Sequence, residues 1–414
     1  VNKGCNITTL NYYNLGSDFD MAKFIGTGQC GNKNMINLIE KSIVSADDVL
    51  LLNTTLKDIP DRFRERAVIF GDGIGGSGKE RKYAKDQLIG SLRKDELAIL
   101  DEFVTPDDDT VYLAASVEGG TGAGSILLLA EYYKETHNMN VNVTLFFGYE
   151  DDARGMKNTI DLFKEIDNTI TVQCISNRKF LSMANGNKLK ANELANDEYA
   201  QRIKILLGQM MIESDITIDD RDLLKLISRT GYLTAEHGTI DRNLKNKDDF
   251  NKILSAIIDN SKSVDVINPG AQRIGIVINA SENTRNHIDY DFGVIKEKYG
   301  NLAEFYTHIQ DNGGDTEFIH IIASGMRLPA EEIEVIATKY AGAISNIRRT
   351  DSFFDKVNSI DVPDLDDFDA NPTPSLPIKN KKNSFLAKYD NQQDPQQKDK
   401  TVVVKKTAVD GDDY

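Results

Sequence analysis

The chain of 414 residues contains no tryptophan, three cysteines, five histidines and nine prolines. Each scarcity excludes something. Cys5, Cys30 and Cys174 lie far apart with no CxxC spacing, so neither a disulfide framework nor a thiolate metal site is expected, which suits a reducing cytoplasm. The histidines form no HxxxH pair, an argument against zinc. No apolar run approaches the ~18 residues that mark a membrane span. Residues 1–18 show no basic segment leading into an apolar one, so no secretion signal is expected either. Positive charge is also in short supply: 49 Lys and Arg against 65 Asp and Glu give a net charge of -16. Direct contact with nucleic acid needs local cations to displace counterions, so any link to DNA is expected to run through a partner.

What the chain does have is 40% hydrophobic residues, enough for two ordinary domains with cores. After a polar extension over residues 1–18, short apolar runs alternate with helical stretches. The runs at 22–26, 49–53, 67–70, 110–117, 141–148 and 170–175 read as strands, and residues 79–103 as one long helical segment. This alternation predicts an α/β fold with a doubly wound parallel sheet over residues 19–190. A long buried helix is expected over 191–214, followed by a smaller mixed α/β domain over 215–349. Residues 351–414 hold five of the nine prolines, 13 Asp and 9 Lys, with no Glu or Arg. That composition cannot offset its ordering entropy, so 350–414 reads as a disordered tail.

Three glycine-rich segments follow predicted strands. Gly119-Gly120-Thr121-Gly122-Ala123-Gly124-Ser125 stands between a buried strand and an amphipathic helix, an arrangement suited to phosphate. Glycines let backbone N–H groups close on phosphate oxygens, hydroxyls add donors, and the helix start supplies partial positive charge. It is not a P-loop, because no GKS or GKT ending is present. Gly26, Gly28 and Gly31 have dinucleotide-loop spacing, but the second strand ends in Asn53 rather than in an acid that would hold a ribose. The third segment carries Gly73, Gly75 and Gly76. Several such loops suit a triphosphate better than a dinucleotide. Asp219 and Asp222 read, from local pattern alone, as the capped start of a helix.

These segments together resemble the tubulin/FtsZ family. GQCGN, with Gly28, Gln29, Cys30 and Asn32, is similar to the opening nucleotide loop of tubulins, and GGTGAGS to the family's phosphate loop. Asn53 falls at the family's NTD loop. Glu150 and Arg154 have the four-residue spacing of the pair that holds the nucleotide in FtsZ. Asn177 resembles the asparagine on the ribose side, and Asn196 the one at the head of the central helix that reads guanine. ITIDDRDLLKLISRTGYLTAEHG is similar to an FtsZ segment along its length, placing Asp219 and Asp222 on two family carboxylates. The resemblance runs from about residue 22 to 345. Thr217 replaces a family asparagine, Glu118 stands where many members have glycine, and Asp72 adds negative charge.

The resemblance implies a GTPase that binds GTP or GDP with Mg²⁺, the metal held mainly through the phosphates rather than by side chains. It implies head-to-tail filaments in which Asp219 and Asp222 complete the site of the next subunit. Divergent loops and the Lys/Asp tail point to a TubZ-type plasmid or phage partition protein in the bacterial or phage-infected cytoplasm. A DNA-binding adaptor would dock on its tail, and no membrane contact is expected. An FtsZ-like division protein is the alternative. From other classes, a non-polymerising nucleotide-binding regulatory module and an NAD(P) enzyme remain open.

Overall fold

Residues Val49–Asn53 are buried at every position, so both faces of that strand must be covered, as in a parallel sheet flanked by helices. The computed structural model describes residues 22–355, apart from positions 74, 168, 215, 242, 243, 302 and 315, together with 385, 386, 388 and 389. The expected N-terminal extension and most of the expected tail lie outside the described residues.

The chain runs β1 (Ala22–Thr27), α1 (Gly28–Glu40), β2 (Val49–Asn53), β3 (Ala67–Ile69), α2 (Arg81–Arg93), α3 (Ile99–Glu102), β4 (Thr110–Ser116) and α4 (Thr121–His137). It continues through β5 (Asn140–Phe147), α5 (Ala153–Glu165), β6 (Thr171–Ser176), α6 (Lys188–Leu206) and α7 (Asp220–Ile227). Next come β7 (Gly231–Thr239), α8 (Lys247–Asp259), β8 (Arg273–Asn279), α9 (Glu282–Arg285), α10 (Gly293–Tyr299), β9 (Glu304–Gln310), β10 (Phe318–Met326) and α11 (Ala330–Asp355). Among the described residues, all ten strands join one sheet in the order β3-β2-β1-β4-β5-β6-β7-β10-β8-β9. The first six pair in parallel, while β10 is antiparallel to β7 and β8. From β1 the chain winds outward to β2 and β3, then returns to add β4 on the other side. A crevice outside the carboxyl ends of β1 and β4 is therefore the expected ligand position.

The α/β class and doubly wound sheet agree with the pattern of apolar runs, and the structure adds four differences. The halves share one sheet, joined where Thr171 and Val172 of β6 pair with Gly231 and Tyr232 of β7. The helical segment expected over 79–103 breaks after Arg93, where Asp95 takes a left-handed φ of 58°. The long helix starts at Lys188, where Asn187 caps the Lys190 N–H, and ends at Leu206, with Gly208 just beyond at φ 64°. It was expected to run to 214. The last helix continues to Asp355, six residues into the segment read from composition as tail.

Helix α6 carries a fully buried arginine. Arg202 donates to Glu198 at 2.8 Å and to Ser263 at 2.8 Å, and lies 3.5 Å from Glu236 on β7. Burial works to raise the Glu198 carboxyl, but Arg202 and His237 outweigh it and hold the group down at about 2. Arg202→Met keeps much of the side-chain volume and removes the cation that Glu198 and Glu236 share. It should lower unfolding free energy at pH 7 by about 3–5 kcal/mol, the usual cost of breaking a buried pair. A depressed carboxylate stabilises the fold above its unfolded value, near 4.5, and loses that contribution as pH falls toward 2. The gap between variant and parent in chemical denaturation should therefore narrow below about pH 4.5.

Candidate functional site

Both helices that open at the crevice begin with free N–H groups. Neither α1 nor α4 has a side-chain cap or an acidic residue in its first turn. Their partial positive charge is left for an anion. The two starts also nearly touch: a Cβ on Gly28, itself at φ 69°, would stand 2.9 Å from the Gly122 nitrogen. Only glycine permits that approach.

Hydroxyls gather at the same point. Thr121 lies 2.9 Å from the Thr54 hydroxyl and 3.0 Å from that of Ser77. Ser125 lies 2.5 Å from the Thr27 hydroxyl and donates to the Thr121 carbonyl at 2.7 Å. The segment carrying Gly73, Gly75 and Gly76 crosses beside this cluster: a Cβ on Gly120 would meet the Glu80 nitrogen at 2.6 Å, whereas one on Gly119 would meet nothing. Ala123 and Gly124 lie buried in the first turns of α4, where the Arg81 Nε donates to the Ala123 carbonyl. Three glycine segments, distant in sequence, thus converge on one helix start.

The remaining candidates each hold contacts of their own. Asn32 is buried; its Nδ2 donates to the Leu52 carbonyl at 3.1 Å, while its Oδ1 has no hydrogen-bond partner. Gln29 and Asn53 approach the same carboxylate, Asp58, at 3.5 and 3.4 Å. Burial pushes the Cys30 thiol up to about 12. Asn177 donates to Asn192 Oδ1 at 2.8 Å and leaves its own Oδ1 unpaired. Glu150 does not pair with Arg154. It accepts instead from Arg178 at 2.6 Å and from Lys339, while Arg154 lies 3.2 Å from Glu80. Asn196 was expected at the head of the long helix, but the earlier helix start places it in the third turn, where its carbonyl accepts from Asn37 at 3.0 Å. Burial raises the Glu118 carboxyl above the usual carboxylate range.

Asp219 and Asp222 are elsewhere. Asp219 caps α7 by accepting the Asp222 N–H at 2.7 Å, and its side chain is exposed; Asp222 holds Lys225 at 2.9 Å. They follow the C-terminal end of α6, whose N-terminal turns lie beside Asn177 and Tyr149. Its 19 residues span about 28 Å at ~1.5 Å per residue. Thr217 braces the preceding loop through a 3.1 Å contact with His308 Nδ1.

No protein-family model matches the chain. Among curated proteins it is 26% identical over 239 residues to cell division protein FtsZ 1 of Methanocaldococcus jannaschii, covering 56% of this chain and 63% of that protein. It is 29% identical over 240 residues to the tubulin-like protein CetZ of Pyrococcus furiosus, covering 53% and 62%. The chain thus spans rather less than two thirds of these relatives' length. Among solved structures, the tail-truncated TubZ of Clostridium botulinum phage c-st superposes with TM-score 0.63 at 16% identity, over 80% of this chain and all of that one. A GTPγS-form protofilament of TubZ from Bacillus thuringiensis serovar israelensis gives 0.65 at 16%, over 79% and 94%. The chain is thus similar in sequence to FtsZ and CetZ proteins and shares the fold of TubZ, CetZ and FtsZ.

Several residues at this crevice escaped the sequence reading. Thr27 and Ser77 lie within the glycine segments but were passed over for the glycines, Thr54 is a single hydroxyl outside them, and Tyr149 and Asn192 meet only through the fold. Asn158 is another: its Nδ2 donates to the Lys79 carbonyl at 3.0 Å and the Glu118 carbonyl at 3.1 Å, stitching two loops together from α5. Gly31 illustrates how tightly α1 is set. A Cβ there would fall inside contact distance of the Ala114 carbonyl oxygen on β4. Gly31→Ala should therefore cost about 1–3 kcal/mol of stability by overpacking, or more if the backbone cannot shift, as read from urea denaturation.

Proposed function

We propose that this chain binds GTP with Mg²⁺ and hydrolyses it at contacts between stacked copies, forming dynamic filaments. The observation that carries the reading is the meeting of two uncapped helix starts and three glycine segments at the β1/β4 crevice. A triphosphate has enough anionic oxygens to use all of them. Asn32, Asn177 and Asn196 would hold the nucleoside end, with Arg154 and Glu150 at the rim. The Thr54, Ser77 and Thr121 hydroxyls supply neutral oxygen donors beside the phosphates, a set that fits a hard cation held mainly by the nucleotide. Bound Mg²⁺ would neutralise charge on the phosphoryl oxygens.

Asp219 and Asp222 follow the far end of helix α6, whose 19 residues span about 28 Å at ~1.5 Å per residue. They would serve the nucleotide of the next copy. A carboxylate orients a water and accepts its proton as the water oxygen bonds to the γ-phosphorus and the bond to the β–γ bridging oxygen breaks. Such a contact joins unlike faces and does not close, so it propagates as a filament. The TubZ and CetZ2 structures whose fold this chain shares are GTPγS-bound protofilaments, which supports this reading.

The biological role we favour is partition of plasmid or phage DNA in the cytoplasm, through an adaptor on the C-terminal tail, since TubZ chains superpose over four fifths of this one. FtsZ-like cell division is the second reading, favoured by the FtsZ proteins among its sequence relatives.

Light scattering and phosphate release with GTP and Mg²⁺ test the biochemical core. Scattering should rise above a critical protein concentration, and turnover should rise with it. Asp222→Ala should bind GTP with unchanged affinity, lose turnover by ~10²-fold or more, and leave long-lived polymer. A chain that binds GTP but never scatters would be a non-polymerising regulatory module. Turnover unaltered by the substitution would rule out the borrowed carboxylates.

A further inference from the structure

Glu118 sits two residues beyond the end of β4 and one before Gly119, and its side chain packs against Gly148 and Gly155. The carboxyl fills a socket made by two glycines. A Cβ on Gly148 would fall inside the Glu118 carboxylate, and one on Gly155 would stand 3.2 Å from the Glu118 Cβ. Within the socket, Glu118 Oε1 accepts the Glu150 N–H at 2.9 Å. Glu150 holds a left-handed φ of 57°, which a non-glycine residue adopts only when its surroundings impose it.

That backbone setting decides where the Glu150 side chain goes. It is only 7% exposed and is held by two cations, Arg178 at 2.6 Å and Lys339. Arg178 reaches on to Glu332 at 2.6 Å. Glu332 and Lys339 are seven residues apart on α11, two turns along one face. An unbroken chain of contacts therefore runs from the phosphate loop through Glu118, Glu150 and Arg178 to the last helix.

We propose that Glu118 is a positioning residue that couples occupancy of the phosphate loop to the seating of α11. The inference rests on the nucleotide reading above, in that the ligand is taken to bear on residues 119–122. A ligand that steadies this loop steadies the Glu118 socket, the Glu150 backbone and the clamp on α11. Linkage then requires the reverse: weakening the clamp must weaken the ligand.

Hydrogen–deuterium exchange of the full chain, with and without GDP and Mg²⁺, reads the first direction in peptides covering residues 330–345. GDP should slow exchange there roughly 2- to 10-fold in the parent chain. Glu118→Gln keeps an oxygen for the Glu150 N–H and should retain the effect, whereas Glu118→Ala should abolish it. Lys339→Met, on the far side of the clamp, should weaken binding of a fluorescent GDP analogue by a similar factor. Equal protection of α11 in Glu118→Ala and the parent, or unaltered GDP affinity in Lys339→Met, would overturn the coupling. If the parent binds no guanine nucleotide, the functional reading fails separately. The ligand-free comparison then decides the link between Glu118 and α11: faster exchange in the alanine variant but not in the glutamine variant supports it, and equal exchange in both refutes it.

Discussion

The structure turns on the close approach of two helix starts at the point where the sheet reverses its winding. Each start presents unsatisfied N–H groups, and their separation is set by glycine at 28 and 122, where no side chain fits between the backbones. Every other feature of the crevice follows from that contact. The Thr54 and Ser77 hydroxyls reach Thr121 because β2 and the segment after β3 are adjacent layers of the same winding. The sheet order places the second strand and its loop next to the first, so hydroxyls far apart in sequence converge. The cost of leaving so many donors uncapped is one an anion would offset, and this is why the site reads as a phosphate cradle rather than as a flexible turn.

Helix α6 supplies the second constraint, distance. Its N-terminal turns touch Tyr149 and Asn177 through Asn192, Asn196 in its third turn meets Asn37 of α1, and its C-terminal end leads to the loop that carries Asp219. A helix holds that spacing only if it cannot slide, and the buried Arg202 pins it to β7 and Ser263 by charge and hydrogen bonds. Buried ionic clusters add little net stability but penalise every alternative placement. Here the arginine fixes the register between a nucleotide-type crevice at one end and exposed acids at the other. On the proposed function, that fixed spacing is what makes one molecule's acids useful only to another molecule's ligand.

Much of this was legible in advance, and for identifiable reasons. VLLLN and TVYLAAS are buried along nearly their whole length, and such runs between glycine turns are what a covered parallel strand requires. The glycine segments were visible because the backbone approach they allow excludes other residues. What composition and periodicity missed has an equally physical cause. The break after Arg93 rests on a single left-handed aspartate, which no apolar period registers. The end of α6 rests on Gly208, inside a stretch whose apolar residues continue the helical pattern. The joining of both halves into one sheet depends on a two-residue pairing of β6 with β7, far too local for hydropathy to reveal. Asn158 and Tyr149 reach the site from helix and loop positions whose local sequence carries no motif.

Glu118 brings these strands of argument together. From sequence alone it looks like a defect, a charged residue placed where the phosphate loop would favour glycine. In the fold its carboxyl is turned toward Gly148 and Gly155, and the negative charge meets the Glu150 N–H rather than the crevice. A carboxylate beside an anion site is tolerable only when something else holds it away, and two glycines with no other evident duty do so. The substitution and its socket are one feature read at two places in the chain. The same turn sends the Glu150 side chain to Arg178 and Lys339, so the residue that spares the crevice a charge also anchors the last helix.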